Sequence, residues 1–242
     1  MIDLHSHILP GIDDGANTLA VSLAMAHQSI EAGVTHMMCT PHIMHGIYEN
    51  TQHSIQVAYA ALKRAVQEDG CDLKLSYAAE VRITPEILQW VTDKKIPYLG
   101  KWEGKYALLL ELPHSHIPAG TENLLRWLLK HNVQPVIAHP ERNRDIIFQY
   151  EKINMLRRFG CLFQVTAGSF TGRFSEAIKS IALKMLEDDL ISYIASDTHN
   201  INRRPNDMGE ARLVLVSEVG EQRALDLVFN TPQKITQDCI WK

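Results

Sequence analysis

The sequence predicts an α/β protein built as a single-domain, distorted (β/α)7 barrel similar to a TIM barrel. Three observations favour this class. Short apolar runs recur along the chain, amphipathic stretches separate them, and most of the runs end in a histidine or a carboxylate. Parallel strands that are buried on both faces have such runs, and α/β folds place their chemistry at the strand ends.

Seven apolar runs are the candidate strands. Each is bounded by Gly, Pro or polar residues, as is typical of strands in a parallel sheet. They cover residues 1–7, 34–42, 73–80, 106–111, 135–139, 161–166 and 191–199. Six of the seven runs carry polar side chains at one end. An open sheet feeds its site from two or three strands, whereas a closed barrel brings six strand ends together.

Amphipathic stretches between these runs are the candidate helices. They cover residues 18–32, 51–69, 121–131, 151–159 and 175–188, followed by two closing helices in 208–242 around Gly220. We expect Asn17 to cap the first helix and Gly33 to end it, while Asn50 precedes the second helix and Gly70 ends it. Since strands and helices alternate without a linker, we expect one domain over residues 1–242.

The composition is that of a globular protein with moderate charge. The chain has 242 residues, of which 45% are hydrophobic and 21% charged, and its net charge is −4. This charge argues against a nucleic-acid interface. No run approaches the roughly 18 apolar residues of a membrane span, and the amino terminus lacks a basic signal region. The four cysteines form no CxxC pair, so we expect reduced thiols in a cytoplasmic protein.

Nine side chains at the strand ends and in one loop form a candidate metal centre. They are His5, His7, Asp14, His42, Glu80, Glu111, His139, Asp197 and His199. A single histidine is more often a core or surface residue than a ligand. That interpretation is kept for the histidines inside helix or strand patterns, which are His27, His36, His53 and His131. Independent recurrence of histidine at so many equivalent positions is implausible, which favours metal ligation for the nine.

The carboxylates have ordinary alternatives as well. Asp13-Asp14-Gly15 on its own is a turn pattern, and Asp197 on its own is a helix N-cap. Glu80 and Glu111, however, directly end buried runs, where an unpaired carboxylate is costly to desolvate. Coordination of a metal removes that cost, so ligation is the favoured interpretation of the set.

The ligand types narrow the choice of metal. Five imidazoles and four carboxylates without a thiolate suit Mn²⁺, Fe²⁺ or Zn²⁺. A catalytic metal takes three or four protein ligands, so nine ligands with one bridging carboxylate match three ions. Three divalent ions (+6) against four carboxylates (−4) leave a charge of +2. Such a charge holds a hydroxide between the metals and attracts an anion, as a phosphoesterase requires.

The motifs resemble those of a known family. The order HSH, DDGA, TPH, Glu80, Glu111, HPER and SDTHN is similar to the polymerase and histidinol phosphatase (PHP) family. More narrowly, it resembles the manganese-dependent protein-tyrosine phosphatases that bacteria encode with capsule and exopolysaccharide genes. The resemblance extends from Met1 to about Phe229, and it implies the PHP version of the barrel and hydrolysis of phosphotyrosine by a metal-bridging hydroxide.

The resemblance also implies roles for particular residues and for a partner. His5, His7, Glu80 and Asp197 would hold one metal, Glu80, Glu111 and His139 a second, and Asp14, His42 and His199 a third. Arg142 and Arg204 match the phosphate-binding arginines, with Arg203 as the neighbouring alternative to Arg204. The implied partner is the tyrosine-rich tail of a bacterial tyrosine kinase that controls polysaccharide export, with no nucleic acid and no membrane insertion.

Other functions fit the same ligand set. One alternative is another PHP phosphoesterase, either a histidinol-phosphate phosphatase or a nuclease-type domain, since fold and metals do not separate these substrates. The second alternative is a non-catalytic metal-binding module that regulates a partner. A phosphocysteine mechanism is excluded, because no cysteine begins the Cys-x5-Arg pattern of cysteine-dependent phosphatases.

Overall fold

The computed structural model describes residues 1–241, and these form ten strands and ten α-helices. The strands are β1 (Ile2–Ser6), β2 (His36–Cys39), β3 (His42–Ile43), β4 (Lys74–Tyr77), β5 (Glu80–Arg82), β6 (Gly100–Trp102), β7 (Lys105–Glu111), β8 (Val133–Ala138), β9 (Leu162–Thr166) and β10 (Tyr193–Ala195). The helices are α1 (Leu19–Glu31), α2 (Gln52–Asp69), α3 (Ile87–Thr92), α4 (Thr121–Lys130), α5 (Arg144–Phe148), α6 (Ile153–Arg158), α7 (Ala167–Phe170), α8 (Glu176–Glu187), α9 (Met208–Leu225) and α10 (Thr231–Ile235).

The strands close into a seven-stranded parallel barrel. β1, β2 and β4 pair in one sheet, and β3, β5, β7, β8, β9 and β10 pair in the other. β2 continues into β3 and β4 continues into β5, so the two sheets share two strand runs. The barrel closes where Ser6 pairs with Thr198 and the Asp197 amide donates to the His5 carbonyl at 2.8 Å. The predicted (β/α)7 barrel is therefore confirmed.

Alternating side chains divide the core into an inner and an outer layer. Along β7, Ala107 and Leu109 belong to the smaller hydrophobic cluster, whereas Leu108 and Leu110 pack in the larger one with the helices. The smaller cluster fills the barrel interior, as expected for strands with a period of two. By the same alternation Glu111, two residues beyond Leu109, faces the interior at the carboxyl end.

One segment departs from the predicted alternation of strands and helices. Between β5 and β7 the chain forms the short helix α3 and then β6, which pairs antiparallel with the start of β7. Glu103 and Gly104 both have positive φ, as in the tight turns that connect antiparallel strands. The Glu-Gly pair was a local indication of this hairpin, and the sequence analysis missed it.

The helix ends show how well local chemistry sets boundaries. α1 and α2 each begin one residue later than predicted, because Thr18 and Thr51, rather than Asn17 and Asn50, are the N-caps. Gly70 ends α2 in the left-handed conformation, as expected. Two 3-10 turns, Pro140–Arg142 and Tyr150–Lys152, lie before and after α5.

The carboxyl-terminal segment contains the two predicted helical stretches around Gly220, which has non-helical φ and ψ inside α9. A π-helical turn at Asp226–Asn230 leads into α10. The predictions for this segment and for the domain run to Lys242, which lies outside the described residues. No helix within residues 1–241 has both the length and the apolar character of a membrane span.

Candidate metal centre

The barrel brings the nine predicted ligands together at the carboxyl ends of its strands. Eight of them are buried, and Asp14, on the loop after β1, has a side chain that is 45% exposed. Four overlapping groups of these residues have ligand atoms within 4.8 Å of one another. The groups are His5, His7 and Glu80; His5, His139 and Asp197; His42, Glu80 and Glu111; and His7, Asp14, His42 and His199.

The first predicted metal position has the tightest geometry. Nε2 of His5 and Nε2 of His7 are 3.2 Å apart. Each of these nitrogens lies 3.2–3.3 Å from Oε2 of Glu80 and 3.3–3.4 Å from Oδ1 of Asp197. Two ligands at about 2.1 Å from one ion stand roughly 3.0–3.4 Å apart at octahedral or tetrahedral angles. The four predicted atoms therefore have the spacing of a shared cation.

The second predicted position is organised differently from the implied grouping. Nε2 of His139 lies 2.8 Å from Oε1 of Glu80, yet the ligand group that contains His139 includes His5 and Asp197 rather than Glu111. Glu111 instead lies beside His42, with Oε2 at 3.7 Å from Nδ1. The third position keeps its predicted members, since Oδ1 of Asp14 is 3.5 Å from Nε2 of His42 and 3.3 Å from Nε2 of His199.

Unsatisfied polar atoms test whether these residues fit a metal. Five atoms of the predicted ligands are buried without a hydrogen-bond partner among the described residues: His42 Nδ1, Glu80 Oε2, Glu111 Oε2, Asp197 Oδ1 and His199 Nε2. A buried acceptor that lacks a donor costs about 1–3 kcal/mol, and more when it is charged. Five such atoms converging on one region mean that the donor set fits divalent cations.

The metal-free cluster favours the metal-binding protonation state at Glu80 and His139 but the protonated acid at Glu111. Burial alone would raise the pKa of Glu80, but His5 and His42 hold it well below its usual range. Burial, together with repulsion from Glu80, raises the pKa of Glu111 to about 7. Burial and the charge of Arg142 lower the pKa of His139 to about 3. Neutral imidazole and ionised carboxylate are the forms that bind metals.

Three residues that the sequence analysis missed hold the ligands in place. Nδ1 of His5 lies 2.9 Å from Oε1 of Gln164, and Nδ1 of His7 lies 2.7 Å from Oδ2 of Asp13. Nη1 of Arg82 lies 2.6 Å from Oε1 of Glu111. Such contacts direct the remaining ligand atom towards a metal and fix the imidazole tautomer.

Two of these three supporting residues could be partly anticipated from their positions in the sequence. Asp13 stands beside the predicted ligand Asp14, and Arg82 lies two residues after Glu80. Gln164 is inside a strand and had no local signature. Its inward direction follows only from its place between Leu162, a member of the interior cluster, and the barrel mouth.

Both predicted arginines converge on one carboxylate oxygen. Nη1 of Arg142 and Nη2 of Arg204 each lie 2.5 Å from Oδ2 of Asp197, whose other oxygen faces His5 and His7. The Arg203 side chain is on the exposed part of the same loop. The structure thus places Arg204, and not Arg203, beside the predicted metal ligands.

Two of the ligands occupy strained backbone positions. His139 has φ of 34° and Asp197 has φ of 52°, in the left-handed region that non-glycine residues seldom adopt. Each follows the end of a strand, β8 or β10, and each turns the chain towards an arginine-bearing loop. Strain of this kind costs about 1–3 kcal/mol and collects at functional sites.

The mouth of the barrel carries further rings and charges. Nε2 of His114 is 3.0 Å from Nη2 of Arg142, and the His114 ring stacks on His139. The Tyr48 ring stacks on His42 with centroids 5.5 Å apart, and Cζ of Arg142 lies 4.8 Å from the Phe174 ring centroid.

Other residues near the mouth do not line it. From sequence, Phe170 is a candidate, beside Tyr48 and Phe174, for a wall that packs against an aromatic substrate. The structure contradicts this for Phe170, because the side chain is fully buried in the outer core. His45 is exposed and pairs with Glu49 at 3.1 Å. His116 contacts Ser115 at the surface.

Known proteins are similar to this chain in sequence and fold. The family described as capsular polysaccharide synthesis, CpsB/CapC, matches residues 1–237. The tyrosine-protein phosphatase YwqE of Bacillus subtilis (strain 168) is 34% identical over 242 residues, which cover 100% of this chain and 94% of YwqE. The tyrosine-protein phosphatase CpsB of Streptococcus pneumoniae is 30% identical over 246 residues, which cover 98% of this chain and 99% of CpsB.

A solved structure agrees over the full length. It is described as one of the crystal structures of YwqE from Bacillus subtilis and CpsB from Streptococcus pneumoniae, unique metal-dependent tyrosine phosphatases. It matches with a TM-score of 0.91 at 32% identity and covers 100% of this chain and 97% of its own. The resemblance seen in the HSH, DDGA, HPER and SDTHN motifs is thereby confirmed. The chain belongs to the CpsB/CapC family, the metal-dependent tyrosine phosphatases of capsular polysaccharide synthesis.

Proposed function

We propose that this chain hydrolyses phosphotyrosine in a protein of capsule or exopolysaccharide synthesis, with divalent metals bound at the barrel mouth. The nine ligands would be His5, His7, Asp14, His42, Glu80, Glu111, His139, Asp197 and His199. The observation that carries the proposal is the position of Asp197. One of its oxygens faces His5 in β1 and His7 just after that strand, and the other accepts from Arg142 and Arg204.

The donor set supports manganese as the metal, and three ions as the number. Imidazole and carboxylate ligands without thiolate suit Mn²⁺, although Fe²⁺ and Zn²⁺ accept the same ligands. When bound, such ions lower the pKa of water towards neutrality and offset the charge of a phosphate group. Four overlapping ligand groups in a small volume favour more than one ion.

The arginines are proposed to bind the phosphoryl oxygens. Guanidinium groups present paired N–H donors that match phosphate geometry. In the structure both groups donate to Oδ2 of Asp197, and the Phe174 ring supports the face of Arg142. A phosphate group at the metals would lie within reach of both guanidiniums, so they would stabilise the charge that develops on its oxygens.

The surroundings favour an aryl phosphate over an alkyl phosphate. The Tyr48 ring beside His42 and the Phe174 ring beside Arg142 flank the ligand cluster, and either surface can pack against an aromatic substrate. The tyrosine phenol has a pKa of about 10, well below that of a serine hydroxyl. It therefore leaves with less help from a proton donor.

The proposed partner is the tyrosine-rich tail of a bacterial tyrosine kinase that controls polysaccharide export. Family membership supports the setting of capsule synthesis. A flexible segment suits this site, because an extended tail can place a single tyrosine at the metals while its backbone stays outside the barrel. The net charge of −4 argues against nucleic acid as the substrate.

A side-by-side assay tests this function. Purified protein is stripped with a chelator, reloaded with Mn²⁺, Fe²⁺ or Zn²⁺, and assayed on a phosphotyrosine peptide, the matched phosphoserine peptide, histidinol phosphate and single-stranded DNA. We expect turnover only after metal is restored, with phosphotyrosine preferred over phosphoserine by orders of magnitude. Undiminished turnover in metal-free protein, or a clear preference for histidinol phosphate, would refute the proposal.

A further inference from the structure

An uncharged groove lies beside the metal centre on the carboxyl-terminal rim of the barrel. It is a cavity of about 400 Å³ between α3 and the start of α4. Its walls include Ile83, Pro85, Leu88, Pro118, Leu124 and Trp127, and none of its lining residues within the described chain is charged. Pockets that bind ligands have volumes of about 300–1,000 Å³ and mostly apolar walls.

The groove is continuous with the ligand cluster through one of its walls. Ile83 directly follows Arg82, whose guanidinium pairs with Glu111 at 2.6 Å. The Ile83 amide also donates to the carbonyl of Glu111 at 2.9 Å. The first residue that lines the groove is therefore hydrogen-bonded to a predicted metal ligand, so the groove lies directly beside the candidate metal centre.

The facing wall is anchored to the arginine side of the site. After Glu111 the chain runs to the facing wall of the groove. The Ile117 amide donates to Oδ2 of Asp145 at 2.9 Å, and the next residue, Pro118, lines the groove. Asp145 belongs to α5, which follows the turn that carries Arg142. Both walls are thus anchored to elements that carry residues of the proposed site, with one wall bonded to Glu111 and the other held by the helix that follows Arg142.

The groove leaves apolar surface uncovered. Leu88, the second residue of α3, is 40% exposed, and Gly120 has no atom within 4 Å of the position that a Cβ would take. A second cavity on the other side of α3 contrasts with it, since Lys95 and His53 contribute to that lining. The uncharged groove would accept an apolar group and disfavour a carboxylate or an ammonium group, which would lose hydration without a partner there.

We propose that this groove binds an apolar side chain of the substrate polypeptide that flanks the phosphotyrosine, and that it sets sequence preference. The inference rests on the proposed function, since it assumes a polypeptide substrate. It adds a specificity-determining surface at Leu88 and Leu124, which lie outside the metal and phosphate machinery. Apolar contacts of this size change relative kcat/KM by about 10-fold or more.

The test compares peptides and variants. Two phosphotyrosine peptides differ only in the flanking residues, which are Leu in one and Asp in the other, and p-nitrophenyl phosphate serves as a substrate too small to reach the groove. For the wild-type protein we expect about 10-fold higher kcat/KM on the Leu peptide. Leu88→Asp should abolish that preference without changing p-nitrophenyl phosphate turnover, and Leu124→Gln on the facing wall should reduce it.

Leu213→Asp is the matched control, because Leu213 is 68% exposed on α9. It should leave both peptides and the small substrate unchanged. Equal rates on the two peptides, or a loss in Leu88→Asp that is shared by p-nitrophenyl phosphate, would overturn the inference. So would a sedimentation experiment in which Leu88→Asp dissociates an oligomer, since the occupant would then be a second copy of the chain.

A binding measurement distinguishes a failure of this inference from a failure of the proposed function. Fluorescence anisotropy of the same two labelled peptides, without phosphate, measures groove occupancy in the absence of catalysis. Discrimination between the peptides without any phosphatase activity would refute the proposed function and leave the groove as a peptide-binding surface only. Hydrolysis of both peptides at equal rates and with equal affinities would support the proposed function and refute the role of the groove in sequence preference.

Discussion

Asp13 fixes the orientation of His7, because Oδ2 of Asp13 lies 2.7 Å from Nδ1 of the histidine. The same oxygen accepts from the His42 amide at 3.2 Å, and the other oxygen accepts from the Gly15 amide at 3.0 Å. Asp13 therefore joins the loop after β1 to His7 and His42, which share a ligand group with Asp14 and His199. With Nδ1 engaged as a donor to Asp13, Nε2 of His7 is the nitrogen that remains for a metal, and it faces Glu80 and Asp197.

Asp13→Asn should weaken metal binding by about 10- to 100-fold, the scale seen when a residue that orients a ligand is removed. The neutral amide no longer stabilises the His7 tautomer through a charged acceptor. Metal titration of the stripped protein measures the effect. Asp69→Asn is the matched control, since Asp69 pairs with His27 at 2.6 Å on the exposed surface. Equal affinities in the Asp13 variant and the wild type would contradict the assigned role.

Replacing Arg142 or Arg204 should lower kcat/KM far more than replacing Arg203. If Arg142 and Arg204 bind the phosphoryl group, replacing either by Ala should lower kcat/KM by roughly 100-fold or more, as for the loss of one charge-stabilising donor. Arg203→Ala should change it little, because that side chain is exposed. Steady-state kinetics with metal analysis of each variant provide the measurement. Normal kinetics in Arg142→Ala would mean that its pairing with Asp197 is only structural.

His114 should act as a positioning residue for Arg142. Its Nε2 lies 3.0 Å from Nη2 of the arginine, and its ring stacks on His139. His114→Ala frees the guanidinium, so KM should rise several-fold while bound metal stays constant. His114→Gln keeps an acceptor near that position and should restore much of the loss. A fall in kcat alone, with no rescue by Gln, would point to a different role.

Strand ends were predictable because their chemistry is local in sequence. A buried apolar run that ends at His139 or Glu111 identifies that residue as a candidate ligand from the local sequence alone. The residues that orient these ligands were not predictable, because they are far from the ligands in sequence. Gln164, for example, contacts His5 but lies 159 positions from it. The choice between Arg203 and Arg204 likewise needed the path of the loop. Sequence thus indicated which residues converge at the barrel mouth, while tertiary structure decided what orients them.

Metal binding should release protons, and the apparent affinity should rise with pH. Burial alone would lower the pKa values of His5, His7 and His42, but neighbouring carboxylates raise them above the ordinary value. The metal-free histidines therefore keep protons at higher pH than usual, and a metal must displace them. Calorimetric titration in buffers of different ionisation enthalpy counts these protons. Identical heats in all buffers would contradict the expectation.

Gly15→Ala should detach the loop that carries Asp13 and Asp14. A Cβ at Gly15 would stand 1.9 Å from the His7 carbonyl oxygen and 2.5 Å from the His7 Cβ, so the two chain segments must separate. Separation breaks the bond from Asp13 to His7 and moves Asp14 away from His199. We expect loss of at least one bound ion per chain and of phosphatase activity, measured by metal analysis and kinetics.

The control for this variant is Gly46→Ala, where an added Cβ meets nothing within 4 Å. Its left-handed φ costs about 1–2 kcal/mol of stability for a residue with a side chain, but the metal ligands are untouched. A thermal melt of each variant separates the loss of metal from a loss of folding. If the folded Gly15 variant retains the full complement of metal, close packing of the loop on His7 is not what holds Asp14 in place.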